Sequence, residues 1–187
     1  MTEKEFLILV DENDQPWGKL EKLEVHELGL LHRAFSVFVF NTKGELLLQQ
    51  RADEKYHSAG LWTNTCCSHP HYGENTDDAV ERRLKEEMGM HAQTDFAFSF
   101  LYKSKFENGL IEHEYDHVYF SVSDELPIPA KEEVKAWKYM SLDLLSEDLK
   151  NNPNHYTEWL KICFVQMLTH LKTHQSTQPY LSVFNYV

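Results

Sequence analysis

Two strand-like runs, Phe35 to Phe40 and Glu45 to Gln50, are separated only by Asn41-Thr42-Lys43-Gly44. A connection that short, with Gly where a positive φ is cheap, makes the runs an antiparallel hairpin. Phe6 to Val10 reads as a further short strand, ended by the turn-rich Asp11-Glu12-Asn13-Asp14. Runs near 94–105 and 111–123 flank the turn signal Asn108-Gly109, and another strand is predicted near Lys135 to Met140.

Helices alternate with these hairpins. Asn75 or Thr76 can cap a helix whose first turn carries Asp77 and Asp78. It runs through Ala79, Val80, Leu84 and Met88 and stops at Gly89. A short helix is predicted at about 141–149. A longer amphipathic one follows at about 155–172, with Trp159, Ile162, Cys163 and Val165 to Leu168 as its apolar positions. Mixed elements with hairpins dominating predict an α/β sandwich rather than a doubly wound parallel sheet. With 187 residues and no repeat or long linker, one domain over 1–187 is expected, with a tail from about 173.

Charge narrows the chemistry. A net charge of −12 argues against broad nucleic-acid binding, which needs a basic stripe. It also repels small anions at long range, so a phosphate-ester substrate would require basic side chains and metal ions to reverse the field locally. No apolar run is long enough to cross a bilayer, and MTEKEFLILVDEND turns acidic where a leader would show small residues, so no membrane partner and a cytoplasmic location are expected. Cys66, Cys67 and Cys163 make no disulfide framework and read as reduced thiols. The chain is expected to be a monomer or a weak homodimer.

In Leu110-Ile111-Glu112-His113-Glu114-Tyr115-Asp116-His117-Val118, side chains alternate faces, so Glu112, Glu114 and Asp116 point one way. They either face water, the commoner case, or are neutralised by a divalent cation. His26 and His32 bracket a loop, Glu27-Leu28-Gly29-Leu30-Leu31, and His69 follows Cys67 by two residues. Imidazoles with carboxylates suit Zn, Mn or Fe, although the spacing matches no zinc-finger pattern. Eleven histidines occur in the chain, and others, such as His155, His170 and His174, read as surface residues.

Ser68-x5-Glu74-x7-Arg82-Arg83-Leu84-Lys85-Glu86-Glu87-Met88-Gly89-Met90 follows the Nudix motif G-x5-E-x7-R-E-U-x-E-E-x-G-U, U being a bulky apolar residue. Ser68 replaces the first Gly, and Arg83 replaces the Glu after the Arg. Arg83 removes a metal-binding carboxylate and adds a guanidinium suited to phosphate, which weakens a hydrolase and not a diphosphate-holding enzyme. Arg83 with Glu87 also makes an ordinary i,i+4 pair.

Leu20-Glu21-Lys22, His26, Leu31-His32-Arg33-Ala34-Phe35-Ser36, Trp62-Thr63-Asn64-Thr65-Cys66-Cys67-Ser68-His69-Pro70 and Glu112-His113-Glu114 together resemble the type I isopentenyl-diphosphate isomerases of the Nudix superfamily. The resemblance spans about residues 5–165, and its Trp62–Pro70 segment is highly specific. It implies a Nudix-like α/β/α sandwich with a mixed, largely antiparallel sheet, and interconversion of isopentenyl and dimethylallyl diphosphate through a tertiary carbocation. It implies Cys67 and Glu114 as catalytic residues on opposite faces of the substrate. It implies His26, His32, His69, Glu112 and Glu114 as ligands of Mn²⁺, Zn²⁺ or Mg²⁺, and Glu87 as the ligand of a Mg²⁺ on the diphosphate. Lys22, Arg51, Lys55 and Arg83 match basic residues around that diphosphate, and Tyr102 and Trp159 match aromatics near the reacting carbons.

Such a reaction needs an acid, a base and a shielded apolar pocket. Glu114, polarised by metal and hydrogen-bonded to Tyr102, is the candidate for proton delivery, with Cys67, as thiol or thiolate, on the other face. Trp159 offers a ring face to the cation, worth about 1–2 kcal/mol when desolvated; its periodicity equally suits a core residue. Cys66 reads as packing, and Asp116 matches no ligand. The rivals are a Nudix hydrolase of nucleoside diphosphate derivatives, which has no evident use for Cys67, and a binding module whose His/Glu cluster only staples the fold.

Overall fold

The computed structural model describes residues 4–55, 57–106 and 108–174. In chain order the elements are β1 (Phe6–Val10), β2 (Pro16–Glu21), α1 (Lys22–Leu28), β3 (His32–Phe40), β4 (Leu46–Arg51), β5 (Trp62–Thr63) and β6 (Cys66–Ser68). They continue as α2 (Thr76–Met88), β7 (Asp95–Lys105), β8 (Ile111–Val122), β9 (Val134–Met140), α3 (Leu142–Asn151) and α4 (Glu158–His174).

β3 is the hub. It pairs antiparallel with β1, β4 and β6, and parallel with β8 from His32↔Glu114 to Phe40↔Val122. β7 and β8 form a long antiparallel hairpin, β9 borders β4, and β2 borders β1. The described strands thus join one mixed, mostly antiparallel sheet. Alternation along β3 sends Phe35, Val37 and Val39 into a core with Ala79, Val80, Leu84 and Met88 of α2. Phe38 and Phe40 enter the opposite core with Leu160, Cys163, Phe164 and Met167 of α4. Helices therefore cover both faces, the expected α/β/α sandwich.

Several sequence signals are realised physically. The Asn75 side chain caps α2 by accepting from the Asp77 amide at 2.8 Å. Gly89 ends the helix at φ 67°, and a Cβ there would collide with the Ile128 carbonyl, so only glycine fits. Glu74 and Arg82 form a two-pronged pair at 2.7 and 2.8 Å, and Glu74 also accepts from the His71 amide at 2.8 Å. These two motif residues brace the loop that leads from β6 into α2.

Other expectations are corrected. Glu27 and Leu28 are not loop but the last turn of α1, which ends at Gly29 with φ 62°. A single 3-10 turn at Pro153–His155 precedes α4, which starts at Glu158 rather than near 155. Val165 points to solvent at 63% exposure, so it is not on the apolar face of α4. His170 is buried, its ring stacked on Phe98 at 5.0 Å. His155 is exposed, whereas the His174 side chain and the tail from 175 lie outside the described residues.

Arg82 holds the Glu74 carboxyl below its ordinary range. A depressed carboxyl stabilises the fold above its unfolded value and stops doing so as pH falls through the folded one. Glu74→Gln is expected to cost roughly 1–2 kcal/mol at pH 7. The difference from wild type should close as pH drops below the carboxylate range, read by urea unfolding across pH.

Candidate active site

The face of the sheet that packs under α4 is apolar at one end and reactive at the other. On β8, Val118 and Phe120 belong to that core, and Asp116, Glu114 and Glu112 continue the same face. On β7, Phe98 and Phe100 pack against it, and Tyr102 comes next, in register with Glu114. On β3, Ser36 follows Phe38 and stands opposite Cys67 of β6. Cys66, one residue away, turns into the α2 core instead. Two-residue periodicity is what separates the packing cysteine from the cavity cysteine.

The three carboxylates do not face water: Glu112, Glu114 and Asp116 are 4%, 8% and 1% exposed. α1 presents His26 to Glu112, with Nε2 to Oε2 at 3.1 Å. This packing needs Gly29, since a Cβ there would press on Ile111 at 3.0 Å. His69 Nε2 lies 3.0 Å from Glu114 Oε1 and 3.2 Å from His32 Nε2. The ligand atoms of His26, His32, His69, Glu112 and Glu114 all fall within 4.8 Å of one another.

The surroundings prepare these atoms for a cation. The Nδ1 atoms of His26 and His32 lie 2.6 and 2.9 Å from the carbonyls of Lys22 and Leu30. Each N–H donates to its carbonyl, leaving Nε2 aimed inward with a lone pair when the ring is neutral. Burial favours neutral groups throughout, but the cluster divides. Burial pushes His69 down to about 3. It also raises Glu112, with help from the Glu114 charge. Against burial, the imidazoles of His32 and His69 beside it hold Glu114 well below the usual carboxylate range. Against burial too, the bond to Glu112 raises His26. A divalent cation satisfies all five donors at once, so the donor set fits one.

These groups border a cavity of about 220 Å³ whose lining includes Cys67, Glu114, Tyr102 and Trp159. The Tyr102 hydroxyl donates to Glu114 Oε2 at 2.6 Å. Burial pushes the Cys67 thiol up to about 12, so it is a thiol at neutral pH. Lys22, Arg51, Lys55, Arg83 and Glu87 line the same cavity. Each base there has an internal partner: Lys22 pairs with Glu5 at 3.0 Å, Lys55 with Glu133, and Arg83 with Glu87 at 2.5 Å. The Arg51 guanidinium lies 5.1 Å above the Trp159 ring. Nε of Arg51 and Nε of Arg83 are buried with no hydrogen-bond partner among the described residues.

Every candidate site residue named from the sequence thus lines the cavity or belongs to the metal-ligand cluster behind it. Asp116 joins neither: it is buried beside them, accepts from Ser36 Oγ at 2.9 Å, and is driven well above the carboxylate range by burial and by Glu114. Sequence reasoning missed His57 and Glu133. His57 was hidden among many histidines, although it follows Lys55 by two residues. Glu133 lies in a turn before β9 with no motif around it.

The model of the NUDIX domain family matches residues 30–160. The chain belongs to the Nudix family. An isopentenyl-diphosphate Delta-isomerase of Pectobacterium atrosepticum is 46% identical over 92% of this chain and 96% of its own. One of Serratia proteamaculans is 50% identical over 83% and 87%. Within the Nudix family, these relatives place the chain among the isopentenyl-diphosphate Delta-isomerases. A crystal structure from Deinococcus radiodurans superposes with a TM-score of 0.70 at 20% identity, over 84% of this chain and 96% of that one. A MutT protein of Methanosarcina mazei reaches 0.62 at 17%, over 76% and 96%. At those identities they speak for the fold.

Mn²⁺ at a hundred times its dissociation constant is expected to stabilise the protein by about 2.7 kcal/mol. Excess chelator should remove that gain, and His32→Ala should abolish it. Thermal unfolding with Mn²⁺ or chelator reads all three; an unshifted wild type contradicts a metal site.

Proposed function

We propose that this chain interconverts isopentenyl and dimethylallyl diphosphate, in isoprenoid biosynthesis. The observation that carries the reading is one cavity lined by a thiol, carboxylates, aromatic rings and four basic side chains. Its relatives bear the name of that activity.

Lys22, Arg51, Lys55 and Arg83 take the diphosphate, exchanging contacts with Glu5, Glu133 and Glu87 for contacts with the substrate. Glu87 is the residue that would hold Mg²⁺ there, and His26, His32, His69, Glu112 and Glu114 would hold Mn²⁺, Zn²⁺ or Mg²⁺. A bound divalent ion supplies charge neutralisation for the diphosphate and polarisation of the Glu114 carboxylate. With its head anchored, the five-carbon chain lies along Trp159 between Cys67 and Glu114.

A proton bonds to the terminal alkene carbon, the π pair leaves a tertiary cation, and a different proton departs to form the internal double bond. Atoms and charge are unchanged overall. Cys67 and Glu114, which line the same cavity, share the two proton transfers as acid and base. In the return direction the two exchange roles. Trp159 faces the cation, and its own indole N–H is buried with no hydrogen-bond partner among the described residues.

The reading extends to one domain over 1–187, a monomer or weak homodimer, acting in the cytoplasm. No described helix is long and apolar enough to cross a membrane.

The purified protein with isopentenyl diphosphate and Mg²⁺ in deuterated water is expected to yield deuterium-labelled dimethylallyl diphosphate. Cys67→Ala should lower kcat roughly 10²–10⁴-fold. Full activity in that variant excludes the two-residue mechanism, and release of phosphate without isomer identifies a hydrolase.

A further inference from the structure

His57 lines the cavity, yet none of the roles above uses it. It lies between β4 and β5, on the connection that also carries Lys55. Its ring stacks on Phe106 at 5.4 Å and meets Trp159 edge-on at 5.8 Å, so it completes the aromatic wall. Its carbonyl accepts from Arg51 Nη2 at 3.3 Å, which holds the connection against the end of β4.

The polar edge of the ring is directed at the metal cluster. Nε2 lies 3.4 Å from Glu112 Oε1, while the other carboxylate oxygen, Oε2, is the one near His26 Nε2 at 3.1 Å. Nδ1 faces Ser58 Oγ at 3.4 Å. A hydroxyl donating to Nδ1 leaves the ring proton on Nε2, the nitrogen that stands 3.4 Å from Oε1, so a small turn of the carboxylate brings that oxygen within reach of the N–H. The two oxygens of Glu112 are therefore divided, one toward the cluster and one toward His57.

A Glu carboxylate can otherwise turn about its last torsion or engage an ion through both oxygens. We propose that His57 is a positioning residue that clamps Oε1 of Glu112, so that Oε2 alone is presented to the ion held with His26, His32, His69 and Glu114. This rests on the reading of the His/Glu cluster as a metal site. A purely space-filling role for the ring would be served equally well by phenylalanine, which makes the two roles separable.

The experiment titrates metal-stripped protein with Mn²⁺, following the free ion by electron paramagnetic resonance. His57→Phe keeps an aromatic ring and removes the donor; it is expected to weaken Mn²⁺ binding about 10–100-fold, as loss of a group that orients a ligand does. His57→Gln, whose amide reaches about as far as Nε2, is expected to restore affinity to within about 3-fold of wild type. Where the Phe variant does not fold by near-ultraviolet circular dichroism, His57→Asn, too short to reach Oε1, takes its place. Wild-type affinity in the donorless variant overturns the proposal, as does an equal loss in His57→Gln. Mn²⁺ binding without isomer in the wild type defeats the isomerase reading and leaves this one standing. Isomerisation with unchanged Mn²⁺ affinity in His57→Phe does the reverse.

Discussion

The parallel register between β3 and β8 holds His32 beside Glu114 and Ser36 beside Val118 across nine consecutive pairs from His32↔Glu114 to Phe40↔Val122. A slip of one residue would turn every side chain of β8 to the other face, sending Glu112, Glu114 and Asp116 toward α2 and Tyr119 toward α4. What prevents the slip is burial on both faces: Phe120 and Val118 fit the α4 core, and Tyr119 fits the α2 core. The same apolar packing that stabilises the sandwich thereby sets the carboxylates of the site.

Neighbouring strands inherit that register. β6 places Cys67 opposite Ser36, and β7 places Tyr102 opposite Glu114. Thiol, carboxylate and phenol thus arise from three strands on one face, and α4 begins with Trp159 over them. Sheet positions rather than loops carry these groups, which fixes the separation between them.

Charge is handled locally. The chain carries −12 overall, but the cavity lining gathers Lys22, Arg51, Lys55 and Arg83. Glu5, Glu87 and Glu133 partner three of these bases within the protein. Their pairing keeps the bases in place, so the cavity presents oriented cations instead of flexible side chains. Arg83 belongs to the same α2 that supplies Glu87, so the helix brings a guanidinium to the cavity where the Nudix motif has a carboxylate.

The hairpin of β3 with β4, the span of β1 and the capped helix α2 were legible because local rules govern them: alternation, turn chemistry and end caps. β5 and β6 were not, being two and three residues long, and neither was β2, whose mostly exposed Pro16–Glu21 lacks an alternating pattern. α1 is too short for periodicity to show, so its last turn read as loop. The sequence by itself determined the chemical inventory: the Trp62–Pro70 segment, the motif from Ser68 to Met90 and the Glu-x-Glu strand mark the residues without any coordinates. Only the tertiary structure decided that Glu112 and Glu114 are buried against histidines, that burial raises the Cys67 thiol, and that His57 stands against Glu112. Those properties depend on desolvation and on pairings between residues tens of positions apart, and no local pattern in a chain encodes either.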